Sequence, residues 1–190
     1  MADSTATDRT LLTYEDFKNL PDDGMRHEIL DGDHYMSPSP QTAHQRVLAD
    51  FYYILRQEVE ERRIGEVFLS PYDVVLSDTS IVVPDLVYVS NARSDIIKKE
   101  NIRGVPDLLI EIVSPSNPTR DTQRKRSIYE KQGVPYYWVI DPVNRTVTEL
   151  VLTGPAYKLR SDLAGEAVFK PEIFPGLVID LSAVWPQDRT

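Results

Sequence analysis

Cysteine is absent from all 190 residues, which excludes a disulfide framework, a thiolate metal site and a cysteine nucleophile. The redox compartment stays open. No apolar run approaches the roughly 18 residues of a membrane span, so no membrane partner is expected. The opening residues MADSTATDRT have neither the basic start nor the apolar stretch of a secretory signal, and a cytoplasmic location is expected. Positive charge is in deficit: 21 Lys and Arg stand against 30 Asp and Glu, net −9, with a pI near 4.8. That excludes a generic nucleic-acid coat. What is present, 41% hydrophobic and 27% charged residues, fits one ordinary domain with a real core rather than a disordered chain. Charge is also uneven. Residues 93–131 hold nine Lys or Arg against six acids, about +3, so a polyanion can still meet one basic face.

Residues 1–9 are small, polar and aperiodic and read as a disordered tail; residues 10–190 read as a single domain. Thr13, with Asp16 three positions on, predicts a capped short helix stopped by Pro21. Runs at 26–30 and 34–36 flank Asp31-Gly32, a hairpin signal. From Thr42 to Arg63, Val47, Leu48, Phe51, Ile54, Leu55 and Val59 recur three or four apart, predicting an amphipathic helix. Strand-like runs follow over 66–76, 80–89 and 107–113. Asn91 to Gly104 reads as a charged loop with a helical turn. A helix from a Thr119 cap to Gly133, a buried strand over 136–140, a hairpin across Thr153-Gly154-Pro155 and one short strand within 174–185 complete the chain.

Acids inside apolar strands carry the chemistry. Alternation sets Glu111 on one face with Asp107 and Leu109. Asp85, in Val82-Val83-Pro84-Asp85-Leu86-Val87, poses the same burial problem, and two acids in two apolar strands invite a shared cation. Asp107 is about 13 Å along the strand from Glu111 at roughly 3.3 Å per residue, too far to share one ion, so it reads as structural. Asp85 on a neighbouring strand can approach. Hard oxygen ligands favour Mg2+ or Mn2+, and a phosphodiester is the natural substrate. Lys125 stands one helical turn from Asp121 and one from Tyr129 and is the candidate cation beside developing negative charge.

Pro84-Asp85, then the run from Pro106 to Ser116 with Glu111 at its centre, then Arg120-Asp121 with Lys125 and Tyr129, and Gly133 to Pro142, resemble the Uma-two family. Tyr14 to Phe17, Arg26 to Gly32 and Ser37 to His44 extend the resemblance, which covers the chain from about Leu12 to Trp185. It implies the PD-(D/E)XK nuclease superfamily: an α/β chain with an α+β mixed sheet, in a restriction-endonuclease-like core with an N-terminal hairpin and flanking helices. By resemblance, Asp85 and Glu111 are metal ligands and Lys125 is the lysine, displaced from position 113, where this chain has Val113, onto the following helix. Glu28 and His44 match an acid and a histidine of the family. Glu28 then supplies a further ligand or base.

Blander readings stand beside these. Asp85 can cap a bend after Pro84; Glu111 can sit in a buried salt bridge with Lys125 or an Arg; Lys125 can pair with Asp121; Glu28 can be a solvated hairpin charge, and His44 an ordinary helix histidine. Tyr136, Tyr137 and Trp138 read as core rather than a base-stacking platform. Arg120, Arg124 and Arg126 read either as a solvated face or as substrate-binding cations next to the site. Two functions follow from different classes: a Mg2+- or Mn2+-dependent DNA endonuclease, expected to act as a homodimer if it cuts both strands, and a catalytically silent relative that binds nucleic acid or a protein. A glycoside hydrolase is disfavoured, since no exposed aromatic sugar platform is evident.

Overall fold

The computed structural model describes residues 10–37, 39–114 and 120–186. The chain opens with α1 (Tyr14–Phe17), where Thr13 and Asp16 form the expected capping box. Next come β1 (Arg26–Leu30) and β2 (Asp33–Ser37), paired antiparallel about Asp31 and Gly32. Both turn residues have positive φ, 50° and 82°, the conformation a two-residue hairpin turn asks for. Gly32 is needed for a second reason: a Cβ there would lie 2.7 Å from the Leu11 side chain.

Helix α2 (Thr42–Arg62) buries Val47, Leu48, Phe51, Leu55 and Val59. Each such side chain contributes about 1.5–3 kcal/mol. Its outer face carries Arg56–Glu60 and Glu58–Arg62 pairs four apart, and solvent screening leaves such pairs little to add to stability. Arg63, in the left-handed conformation, ends it.

The expected strand over 66–76 is two strands, β3 (Gly65–Leu69) and β4 (Val74–Ser77), and the expected strand over 80–89 is likewise β5 (Ser80–Val82) and β6 (Leu86–Ser90). Pro71 and Pro84 fall in the two breaks, and neither can donate to a ladder. β3 and β6 join one sheet, β4 and β5 another. The segment 91–104 holds a 3-10 turn (Asn91–Ile96), as expected, and also β7 (Ile102–Arg103), which was not expected and pairs parallel with β4. Then follow β8 (Leu108–Ile112), α3 (Arg120–Gln132), β9 (Tyr136–Asp141), β10 (Thr146–Thr153), β11 (Ala156–Ala164), β12 (Val168–Phe169) and β13 (Ile179–Asp180). The Thr119 cap lies outside the described residues.

Two mixed sheets result, ordered β2-β1-β5-β4-β7 and β11-β10-β9-β8-β6-β3. In the larger, β8 is antiparallel to β6 and parallel to β9, and α3 is the crossover that a parallel pair requires. One face packs on α2 and the C-terminal segment through Phe51, Ile110, Trp138, Phe174 and Trp185. The other packs on α3 and the smaller sheet through Val82, Val87, Leu109, Tyr129 and Tyr137. Tyr137 and Trp138 are wholly buried, as the core reading expected. Among the described residues no helix is long and apolar enough to cross a membrane.

Candidate active site

Pro84-Asp85 is where the chain leaves the smaller sheet for the larger. Asp85 N–H still donates to Ile110 O at 3.1 Å, and its carbonyl accepts from Ser70 N–H at 3.0 Å. Leu86 pairs with Ile110 and Val87 with Leu109, so carrying that register back one step sets Asp85 beside Glu111. Glu28 approaches from β1, where its Oε1 accepts from Val83 N–H at 2.7 Å. Lys125 descends from α3. Four stretches far apart in sequence therefore meet at the seam between the sheets.

The charges there are buried and interlocked. Glu28 and Asp85 are 2% exposed, Lys125 3% and Glu111 7%. Lys125 Nζ donates to Glu111 Oε1 and Oε2 at 3.0 and 3.1 Å and lies 2.9 Å from Glu28 Oε1. Tyr129 O–H donates to Glu111 Oε1 at 2.6 Å. Asp85 Oδ2 accepts from Ile112 N–H at 2.7 Å and lies 3.1 Å from His44 Nε2, while Oδ1 accepts from Arg26 Nη1 at 3.1 Å. His44 Nδ1 has no partner among the described residues.

Asp85 and Glu111 are shifted in opposite directions. Burial lifts Glu111 to about 8; Lys125 resists the rise, and the Asp85 and Glu28 charges add to it. Burial also works against ionised Asp85, but His44, Arg26 and Ile112 N–H outweigh it and hold the group below the usual carboxylate range. Tyr129 is pushed well above its ordinary value, first by burial and then by Glu111 and Glu28. With Glu111 ionised, three carboxylates face two cations, Arg26 and Lys125, and the cluster is short of positive charge. The donor set is hard oxygen with one imidazole, and two carboxylates suffice for a Mg2+ ion that keeps most of its waters. Asp85 and Glu111 fit such an ion chemically, although among the described residues no three acidic or imidazole groups already converge as a finished cage.

The expected residues divide cleanly. Asp85, Glu111, Lys125, Glu28 and His44 come together. Glu28 and His44 are buried and bonded, not the solvated hairpin charge or surface histidine of the blander readings. The buried Glu111–Lys125 salt bridge is present as well. Arg124 turns away. Its guanidinium lies over the Tyr35 ring and donates to the Tyr35 hydroxyl, to Leu30 O at 2.7 Å and to Asp33 Oδ2 at 2.5 Å, fastening α3 to the hairpin. Arg126 is exposed. The side chains of Arg120 and Asp121 lie outside the described residues. Asp107 accepts from Ser90 N–H at 2.7 Å and pairs with Arg93, a structural task. Sequence reasoning missed Arg26. The signal was there: Arg26 and Glu28 are two apart on one strand and so share its face.

A mixed sheet whose adjacent strands bring two acids together beside a lysine-bearing helix defines a restriction-endonuclease-like fold. The family model described as "Uma2: Putative restriction endonuclease" matches residues 14–182, and the chain belongs to that family. One solved structure, described as that of a "putative nuclease belonging to DUF820 from Anabaena variabilis ATCC 29413", superposes with a TM-score of 0.77 at 22% identity, over 92% of this chain and 97% of that one. At that identity the likeness speaks for the fold. No functionally curated protein matches the sequence.

Proposed function

We propose that the protein is a Mg2+- or Mn2+-dependent endonuclease that hydrolyses DNA phosphodiester bonds, with Asp85 and Glu111 as metal ligands. The observation that carries this is the junction of Glu28, Asp85, Glu111 and Lys125 at the seam between two sheets, in a chain of this family. A divalent ion held by Asp85 and Glu111 would supply a more acidic water and screen phosphate charge. The chain's own residues do the rest. Tyr129 and Lys125 fix the Glu111 carboxylate, and His44 with Ile112 N–H fixes Asp85. Lys125 sets a cation where negative charge grows on the phosphorus oxygens, and burial makes that charge count for more than it would in water. Glu28 keeps the Lys125 ammonium in place and is the candidate base.

Cleavage of supercoiled plasmid and single-stranded DNA in Mg2+, Mn2+ or EDTA, with Glu111→Gln alongside, tests the assignment. Metal-dependent nicking that is lost in the variant supports it. Nicking that survives the substitution removes Glu111 from the mechanism. One observation favours a silent binding module: every carboxylate of the cluster already has a cationic partner within the fold. Inertness in every metal, with DNA binding indifferent to Glu111→Gln, would establish that second reading.

A further inference from the structure

Beside the cluster, on the outer side of Arg26, lies a cavity of about 320 Å3 whose walls include Phe17, Leu20, Met25, Arg26 and Asp73. Its size sits at the lower end of the ~300–1,000 Å3 usual for small-ligand pockets. A second cavity of about 410 Å3, with Ser37, Ser39, Gln45 and Ser70 in its lining, shares Asp22, Met25, Arg26 and Pro71 with the first. Arg26 thus stands where the two meet, and it is the one Lys or Arg side chain in either lining.

Two side chains there are underused. Arg26 spends one donor on Asp85 and, among the described residues, makes no other hydrogen bond; a guanidinium has five donors. Asp73 is half-buried, and no described group donates to its carboxylate. Both side chains reach solvent in part, so both keep hydrogen-bonding capacity to offer a ligand. The rest of the smaller cavity is walled mainly by apolar side chains, Phe17 among them, with Asp22 and His27 also in its lining. A flat ring with N–H groups on its edge, attached to an anion, satisfies all three features.

We propose that this cavity receives one unpaired nucleobase, stacked against Phe17, with its exocyclic amino group donating to Asp73 and its adjoining phosphate held by Arg26. The proposal rests on the reading that the neighbouring carboxylates act on nucleic acid. It names the substrate class more narrowly: a strand with an unpaired or extruded nucleotide next to the cut, not an intact duplex. Stacking on aromatic side chains is how proteins hold single strands without a duplex groove, and carboxylates accept from exocyclic amino groups such as that of cytosine. Burial and then the Glu28 charge raise Asp73 above the usual carboxylate range, which places it within electrostatic reach of the cluster. Cytosine, with its amino group, suits such a pocket better than thymine, which has none.

The test is fluorescence anisotropy in EDTA, where no metal-dependent cleavage occurs, with dye-labelled oligo-dC, oligo-dT and a hairpin duplex of the same length. Oligo-dC is expected to bind at least about 3-fold tighter than oligo-dT, with the duplex weakest. Asp73→Leu should erase the dC preference, and Phe17→Ala should weaken both single strands about 5- to 100-fold; Phe17→Leu, which keeps the cavity wall apolar, should lie between. Tightest binding to the duplex, or a dC preference untouched by Asp73→Leu, overturns the proposal. Plasmid nicking by wild type without any base preference sinks the pocket and leaves the hydrolase standing. Base preference without cleavage in Mg2+ or Mn2+ keeps the pocket and removes the hydrolase.

Discussion

Glu111 and Glu149 look alike in sequence, each an acid set in an apolar strand, and both are buried. Their surroundings differ completely. Around Glu111 stand two further carboxylates, a lysine and a tyrosine, drawn from separate parts of the chain. Glu149 accepts from Glu172 N–H at 2.9 Å and from the Ser161 hydroxyl at 3.3 Å; among the described residues no other acid is bonded to its carboxylate, and only the Glu172 charge acts on it. It pins the segment after β12 to β10. A buried acid alone therefore marks a clasp, whereas several acids converging from distant segments mark a place where charge has been concentrated against its own solvation cost. That cost needs a use.

The sharpest way to break the contrast is cleavage itself. Glu111→Gln is expected to lower metal-dependent nicking by at least about 100-fold, and Glu149→Gln to leave it unchanged in a gel assay; equal losses would erase the distinction. Next in size is Lys125→Ala, which strands Glu28 and Glu111 without their shared cation and should cost about 3–5 kcal/mol in urea unfolding. Glu149→Ala removes the acceptor of one buried N–H and should cost about 1–3 kcal/mol by the same measurement. Mg2+ or Mn2+ should raise the Tm of wild type and of Glu149→Ala but not that of Glu111→Gln.

A further test is in pH. Glu111 holds its proton more tightly in the folded protein, to about 8 against an ordinary 4.5. Its contribution to stability is then full below 4.5 and is lost as pH rises through 8. In EDTA, raising the pH from 5 to 9 should shift the Tm difference steadily in favour of Glu111→Gln, a residue that does not titrate. A difference that stays flat would mean Glu111 is ionised throughout.

Much of this was legible in the sequence. The spacing of Val47, Leu48, Phe51, Leu55 and Val59 fixed α2, and Asp31-Gly32 fixed the hairpin. Period two on β8 placed Glu111 on the face that meets α3, and helical spacing placed Lys125 and Tyr129 on the face that meets it. What was not legible is which sheet a strand joins. The runs 66–76 and 80–89 read as continuous because hydrophobic patterning is blind to a change of partner, and Pro71 and Pro84 were the marks of that change. Arg26 was passed over because a lone arginine at the start of a strand looks solvated until Asp85, 59 residues on, comes to meet it. Glu149 was passed over because one buried acid carries no sign of its partners.

The basic run on α3 has a consequence for how the protein would meet a polyanion. Arg124 is committed to Asp33 and Leu30, Lys125 to Glu28 and Glu111, and Lys131 lies 3.0 Å from Asp31. Affinity for nucleic acid normally weakens with salt in proportion to the phosphates neutralised, because each displaces a condensed counterion. These three cations, already matched by the chain's own acids, displace few. Association with nucleic acid through these three side chains would be comparatively indifferent to ionic strength, and recognition would fall to the walls around Arg26.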